Sequence, residues 1–204
     1  MPNDRDGMAK YKACHSLAAY RHQPLDADPL DGEAVLPMSV AVRLAQPGDV
    51  VALTDLYNYY VSNSHCTFDT DPVPLADRQA WLDSHRESGP HRIYVALDAD
   101  RIVGYAASSS FHPKRVYDSS VELSVYVHPN YVNRGVGRSL YQELLQALGQ
   151  LPGVHRLYAG ITLPNDASIA LHERFGFSEA GRFVEVSRKA GRFWDLVWLE
   201  RPAR

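Results

Sequence analysis

Residues 121–148 constrain the fold more than any other stretch of the chain. Val121, Leu123, Val125 and Val127 alternate with Glu122, Ser124 and Tyr126. A period of two fits a strand with one apolar face and one face of chemistry-capable groups. Pro129 and the run Asn133-Arg134-Gly135-Val136-Gly137-Arg138 follow, and Val136, Leu140, Leu144, Leu145 and Leu148 then recur at helical spacing. Glycines in such a turn let backbone approach a ligand closely, and the free amides that open a helix attract phosphate. Arg134 and Arg138 can add charge-assisted contacts to the same anion. A Rossmann fingerprint would need a third glycine where Leu140 stands, and a Walker loop would need Gly-Lys-Ser/Thr, which is absent. A glycine-rich turn with no ligand accounts for the same letters, so the loop alone does not decide the matter.

The flanking sequence supplies the partners of this unit. Val40–Leu44 reads as a short strand, and Met38 stands just before it. Pro47 suits the first turn of a helix whose apolar stripe is Val50, Leu53, Tyr57 and Tyr60. A loop around 65–74 leads to a second helix near 75–87. The spacing predicts strands at 93–97 and 102–109, joined as a hairpin at Asp98-Ala99-Asp100. After the helix at 136–148 comes a strand at 154–161. Asn165 then caps a helix running to Phe175, and Gly176 sits where a left-handed stop belongs. Two last strands, near 183–187 and 192–199, turn at Lys189-Ala190-Gly191. The predicted order is β-α-α-β-β-β-α-β-α-β-β, a mixed α/β domain.

Residues 1–38 behave differently. Six acids, four bases, the stretch Pro24-Leu25-Asp26-Ala27-Asp28-Pro29 and the lack of sustained periodicity predict a poorly ordered extension. A start assigned too far upstream is the alternative. What remains, residues 39–204, suits one domain. The whole chain of 204 residues carries a formal net charge of −3, which argues against a generally basic nucleic-acid binder, although not against a local basic patch. No apolar run has the roughly 18 residues of a membrane helix. Cys14 and Cys66 form neither a metal-ligand pattern nor a disulfide framework, so a reduced, cytoplasmic setting without a metal is expected.

Several separated segments carry a resemblance. Glu122-Leu123-Ser124-Val125-Tyr126-Val127-His128-Pro129 followed by Arg134-Gly135-Val136-Gly137 resembles the acetyl-CoA-binding core of the GNAT N-acetyltransferases. Thr67-Phe68-Asp69-Thr70-Asp71-Pro72, Tyr117-Asp118, Leu163-Pro164-Asn165-Asp166-Ala167-Ser168, Leu171-His172-Glu173 and Gly191-Arg192-Phe193-Trp194-Asp195 narrow it further. They resemble the phosphinothricin acetyltransferase-like branch, which includes the methionine sulfoximine/sulfone acetyltransferases. The motifs are colinear from about residue 40 to 200. The resemblance implies a GNAT fold, with a mixed central sheet and helices on both faces. It also implies direct transfer of acetyl from acetyl-CoA to the primary amine of a small amino-acid-like substrate, by a homodimer. One departure is Val132, which stands where the family usually has Gln or Arg.

The same resemblance assigns candidate residues. Glu122 is the candidate general base, and an exposed or ion-paired strand glutamate is its bland alternative. The Val125 amide is the candidate for polarising the thioester carbonyl. Tyr126, Val127, Asn133, Arg134, Gly135, Val136, Gly137 and Arg138 join it as cofactor contacts. Asn165 is both a helix cap and a candidate contact to the pantetheine arm. His172 is a candidate second base or acid toward the thiolate, against the alternative of a satisfied, partly buried helical histidine. Phe68, Lys114, Arg115, Tyr117 and Trp194 are candidates for the acceptor pocket, with Lys114 or Arg115 available to a substrate carboxylate. Phe111-His112-Pro113-Lys114-Arg115-Val116 departs from the aromatic–Lys–x–Arg pattern common in the family. Trp194 is alternatively core packing. A protein or peptide acetyltransferase, and a non-catalytic acyl-CoA sensor on the same fold, are the competing functions; a nucleotide-binding dehydrogenase ranks last.

Overall fold

The computed structural model describes residues 40–204. The predicted extension at 1–38, and Met38 with it, lies outside the described residues. The chain forms β1 (Ala41–Leu44), α1 (Val50–Asn63), α2 (Leu75–Asp83), β2 (Ile93–Asp98), β3 (Arg101–Ser110) and β4 (Ser120–Val127). It continues as α3 (Val136–Gly149), β5 (Arg156–Thr162), α4 (Asp166–Arg174), β6 (Ser178–Lys189) and β7 (Arg192–Pro202). The order of elements is the one the sequence predicts. Strands are arranged β1-β2-β3-β4-β5-β7-β6 in one sheet of seven. Every neighbouring pair is antiparallel except β4 and β5.

Strand alternation divides the core between the two faces. On one face α3 buries Val136, Leu140, Leu144 and Leu148 against Val121 and Leu123 of β4 and Leu157 and Ile161 of β5, with Ile169, Leu171 and Phe175 of α4 packed alongside. On the other, Val50, Leu53 and Leu56 of α1 and Leu82 of α2 meet Ile93, Val95, Tyr105 and Ala107. Helices therefore cover both faces, as expected for the mixed sheet. β4 turns Val121 and Leu123 toward α3, while Tyr126 joins the aromatic residues packed beneath α1 and α2.

The largest differences in extent from the sequence expectations are at α2 and β6. α2 stops at Asp83, four residues short. The Ser84 hydroxyl and the His85 imidazole both hydrogen-bond back to the Trp81 carbonyl, at 2.6 and 2.7 Å, and satisfy it without a further helical turn. β6 runs 12 residues, well beyond the predicted 183–187. It is one of the sheet's two edge strands and lies exposed along most of both faces, so no alternation of apolar and polar residues marks it.

Gly104 sets how closely α3 approaches the sheet. A Cβ there would lie 3.0 Å from the Tyr126 carbonyl oxygen, 3.1 Å from Val136 Cγ1 and 3.2 Å from Leu140 Cδ1. Gly104→Ala is therefore expected to destabilise the fold by about 1–3 kcal/mol through overpacking. Urea denaturation checks this; an unchanged midpoint would show that α3 can shift freely.

Candidate active site

The site begins where pairing between β4 and β5 stops. Their parallel ladder comprises Ser120↔Arg156, Val121↔Leu157 and Glu122↔Tyr158. From Leu123 onward β4 stays paired with β3 alone, in unbroken register to Val127↔Gly104. Backbone groups alternate in direction along an antiparallel strand. The His128 N–H donates to the Val103 carbonyl of β3 at 2.8 Å. Tyr126, Ser124 and Glu122 share that orientation, so the Val125 and Val127 amides point into the gap beside β5. The Tyr60 hydroxyl of α1 donates to the Val127 carbonyl, satisfying an acceptor that β5 leaves unpaired. Tyr126 contributes no amide to this gap. Its ring instead packs with Tyr57, Tyr60 and Tyr105 at centroid separations of 5.3–5.4 Å.

The turn after β4 places the open start of α3, a candidate anion site, at the end of this gap. Asn133 and Gly135 adopt left-handed φ of 62° and 86°, which turns the chain into α3 with Gly135 as its N-cap. The first backbone bond closed by the helix is Ser139 N–H to the Gly135 carbonyl at 3.0 Å. The amides of Val136, Gly137 and Arg138 are therefore left for an external acceptor. No acidic residue lies in this first turn. The Val136 side chain is core, so only its backbone is available, whereas Arg134 and Arg138 are exposed. At Gly137 a Cβ would meet Leu171 Cδ2 at 3.2 Å, Val127 Cγ2 at 3.7 Å and Val125 Cγ2 at 4.0 Å. This glycine is the close contact of α3, α4 and β4.

Asn165 caps α4, its Oδ1 accepting from the Ser168 N–H at 3.2 Å, while its Nδ2 reaches Cys66 Sγ at 3.4 Å. The cap thereby ties α4 to the loop between α1 and α2. His65 strengthens the tie: its Nε2 lies 2.8 Å from the Pro164 carbonyl, and its ring stacks on Trp194 at 4.2 Å. Lys189, at the end of β6, donates to Thr67 Oγ1 at 2.6 Å.

Glu122 faces the side of the sheet covered by α1 and α2. Among the described residues no hydrogen bond or ion pair engages its carboxylate, and burial pushes its pKa up. A half-buried carboxylate without a donor has the proton affinity a general base needs.

His172 is placed differently from the expectation of an acid or base at the cofactor. It is buried. Its Nδ1 lies 2.7 Å from the Ser168 carbonyl, which can only accept, so Nδ1 carries the proton. Nε2 then accepts from the Tyr141 hydroxyl of α3 at 2.7 Å. Both ring nitrogens are engaged inside the core, between Tyr141 and Phe177. Burial lowers the imidazole pKa to about 4, so the ring is neutral at pH 7 and its one proton is held on the Ser168 carbonyl. In this structure His172 is a bond between α3 and α4.

The acceptor candidates separate into two groups. Phe68 is exposed beside Thr67, and Trp194 is 9% exposed, its indole N–H donating to the Lys189 carbonyl at 3.0 Å. Core packing thus describes Trp194, at a place adjoining the α1–α2 loop. Lys114, Arg115 and Tyr117 lie on the β3–β4 connection. Arg115 is solvent-exposed and 3.9 Å from Asp118. It lines a shallow concavity of about 530 Å³ with Leu151 and Val154, at the opposite end of α3 from Gly135. Tyr117 packs on Phe111 and His112. Among the described residues no hydrogen bond, ion pair or aromatic contact joins the two groups.

Sequence reasoning missed three features. Tyr57 and Tyr60 were counted only as an apolar stripe, although their hydroxyls bond Asp69 and the Val127 carbonyl. Arg78 is buried, stacked at 3.5 Å over Trp81 and bonded at 2.7 Å to the Tyr105 hydroxyl; the i,i+3 spacing of Arg78 and Trp81 was the available signal. His85, 3.3 Å from Ser109 Oγ through Nε2, stands in no motif and on no periodic stripe of the sequence.

Comparison with known proteins decides the family. An acetyltransferase (GNAT) domain model matches residues 42–198. The chain belongs to the GNAT acetyltransferase family. It is 50% identical to a phosphinothricin N-acetyltransferase of Streptomyces coelicolor over 80% of this chain and 96% of that one. It is 36% identical to an L-methionine sulfoximine/L-methionine sulfone acetyltransferase of Pseudomonas aeruginosa, over 80% of this chain and 94% of that one. A GNAT phosphinothricin acetyltransferase from Sinorhizobium meliloti, solved in complex with acetyl-CoA, superposes with a TM-score of 0.77 at 30% identity. That match covers 81% of this chain and 89% of the other. Among the described residues no helix is long and apolar enough to cross a membrane, and no cluster of three or more His, Cys, Asp or Glu side chains could hold a metal ion.

The Tyr141–His172 bond yields a signed pH dependence. The folded imidazole has a lower pKa than the ordinary 6.5, so the unfolded chain binds the extra proton and stability falls as pH drops from about 6.5 toward 4. The destabilisation caused by His172→Gln is accordingly expected to be about 2 kcal/mol smaller at pH 5 than at pH 7. Urea melts at the two pH values measure the difference; an equal cost at both would show a titratable, solvated ring.

Proposed function

We propose that this GNAT enzyme acetylates the primary amine of small amino-acid-like substrates of the phosphinothricin, methionine sulfoximine or methionine sulfone type, with acetyl-CoA as co-substrate. The observation that carries the proposal is the gap between β4 and β5. It is lined by the unpaired amides of Val125 and Val127 and closed at one end by the free amides of Val136–Arg138. Its opposite end is the last paired residue, Glu122. An extended thioester with a pyrophosphate at its far end has the chemistry these groups select, and the residues present fit it.

Acetyl-CoA supplies an acetyl group activated as a thioester. The amides of the α3 start, with Arg134 and Arg138, bind its phosphates. The Val125 amide faces the oxygen on which negative charge develops. Asn165 borders the gap from α4. Glu122 takes the proton of the attacking amine, directly or through one water. His172 holds α4 in place and transfers no proton. Val132, in place of the family's usual Gln or Arg, is exposed, and the neighbouring amides carry the anion contact without it.

Phe68, Trp194 and the α1–α2 loop flank the acceptor, and Lys114, Arg115 and Tyr117 approach it from the β3–β4 connection. The enzyme acts in the cytoplasm. It acts as a homodimer joined through the β6 edge, where Phe183, Val184 and Val186 are 52%, 73% and 54% exposed and Phe193 of β7 is 57% exposed. An unpaired edge strand carrying exposed apolar side chains favours association. Sedimentation of wild-type protein as a dimer, and of Phe183→Glu/Val186→Glu as a monomer, is the expected outcome; a monomeric wild type would remove the dimer.

Release of CoA thiol from acetyl-CoA with methionine sulfone or phosphinothricin tests the activity. Glu122→Gln is expected to lower kcat by about 10²–10³-fold while acetyl-CoA affinity by calorimetry stays within a factor of two to three. Absence of acetyl-CoA binding by the wild type would overturn the cofactor site. Binding without turnover on any amine would favour an acyl-CoA sensor.

A further inference from the structure

Ser109 and Glu122 are directly opposed across β3 and β4, so their side chains stand on the same face of the sheet, about 5 Å apart at Cβ. Ser109 carries the β3 hydroxyl opposite Glu122, and among the described residues no hydrogen bond joins it to the carboxylate. Its proton is already committed. His85, just beyond the end of α2, holds Nδ1 at 2.7 Å from the Trp81 carbonyl. A carbonyl only accepts, so Nδ1 carries the proton of the neutral imidazole and Nε2 carries the lone pair. Nε2 lies 3.3 Å from Ser109 Oγ, and the Ser109 O–H therefore points at His85. A serine has one proton to give, so none is left for Glu122.

We propose that His85 and Ser109 are positioning residues for the base: neutral His85 withholds the Ser109 proton from Glu122 and keeps the carboxylate free to accept the amine proton. The proposal rests on Glu122 being that base. When a proton from solvent adds to Nε2, the imidazolium donates to Ser109 Oγ, and the Ser109 O–H turns to donate to Glu122. One proton is gained at His85, and serine keeps its own. A carboxylate that accepts a hydrogen bond binds a proton less well, so the base weakens as His85 ionises. Burial, the approach of His91 and the charge of Arg78 all lower the pKa of His85, while its bonds to backbone oppose them. The groups facing Glu122 are Ser109 from β3 and Tyr158 from β5, with Ser124 and Tyr126 on its own strand. Tyr158 stacks on Phe111, and Arg156 of the same strand is paired with Glu200 at 2.6 Å. Among the described residues neither His85 nor Glu122 forms an ion pair.

The test is the pH profile of kcat with acetyl-CoA and methionine sulfone both saturating, which reports the base in the ternary complex. His85→Phe frees the Ser109 proton and is expected to move the acidic limb down by about one pH unit. His85→Gln, whose amide oxygen still accepts from Ser109, keeps the wild-type limb. Ser109→Ala also keeps the limb near its wild-type position, and adding His85→Phe to it shifts nothing further. A limb unmoved in His85→Phe, or a shift that persists in the Ser109→Ala background, overturns the proposal. Glu122→Gln separates the two levels: if it retains activity the base itself is misassigned, whereas an inactive Glu122→Gln with an unmoved His85→Phe limb overturns only the positioning pair.

Discussion

The parallel ladder between β4 and β5 closes after three residue pairs, and the rest of the molecule is arranged around that interruption. Two strands that continued in register would satisfy each other's backbone and leave no room for a ligand. Each is instead anchored on its far side, β4 by β3 over seven pairs and β5 by β7 over seven more. The sheet thus stays continuous at one end and open at the other. Unpaired backbone groups in a protein interior are costly. The Tyr60 hydroxyl caps one of them, the Val127 carbonyl, and in the proposed reading the Val125 and Val127 amides are left for the thioester.

Helix packing holds the gap at a fixed width. Gly104 lets α3 lie close on β3, and Gly137 lets its first turn touch Leu171 and the end of β4. The Tyr141–His172 bond joins α3 to α4 in the core, and Asn165 and His65 join α4 to the α1–α2 loop. In the proposed reading, the elements that bind the phosphate end and the acetyl end of acetyl-CoA are therefore locked to one another. A hydrogen bond remote from the chemistry sets the geometry at which the chemistry occurs.

Much of this was legible in the sequence, for reasons that differ by residue. Alternation along Val121–Val127 and the 3.6 period of Leu140, Leu144 and Leu148 record burial directly, and Gly135, Gly176 and Gly191 mark left-handed turns that the structure contains. The motif around His172 suggests a second base or an acid toward the thiolate, with a satisfied, partly buried histidine as the alternative. Yet His172 shares the stripe of Ile169 and Phe175, which pack on the core, and that spacing turns it inward. The directions of Lys114 and Arg115 could not be read, because loop side chains follow no period. The environment of Glu122 depends on partners 13 and 37 residues away, Ser109 and His85, which come together only through strand register and the end of α2.

Amide hydrogen exchange, residue by residue, with and without acetyl-CoA, tests the central claim most directly. If the gap holds the thioester, the Val125 and Val127 amides exchange quickly in the free protein and become protected on addition of acetyl-CoA. The Ser124 and Tyr126 amides, which face β3, are protected in both states. Protection of Val125 and Val127 that is high without acetyl-CoA, or that does not change when it binds, would contradict the account.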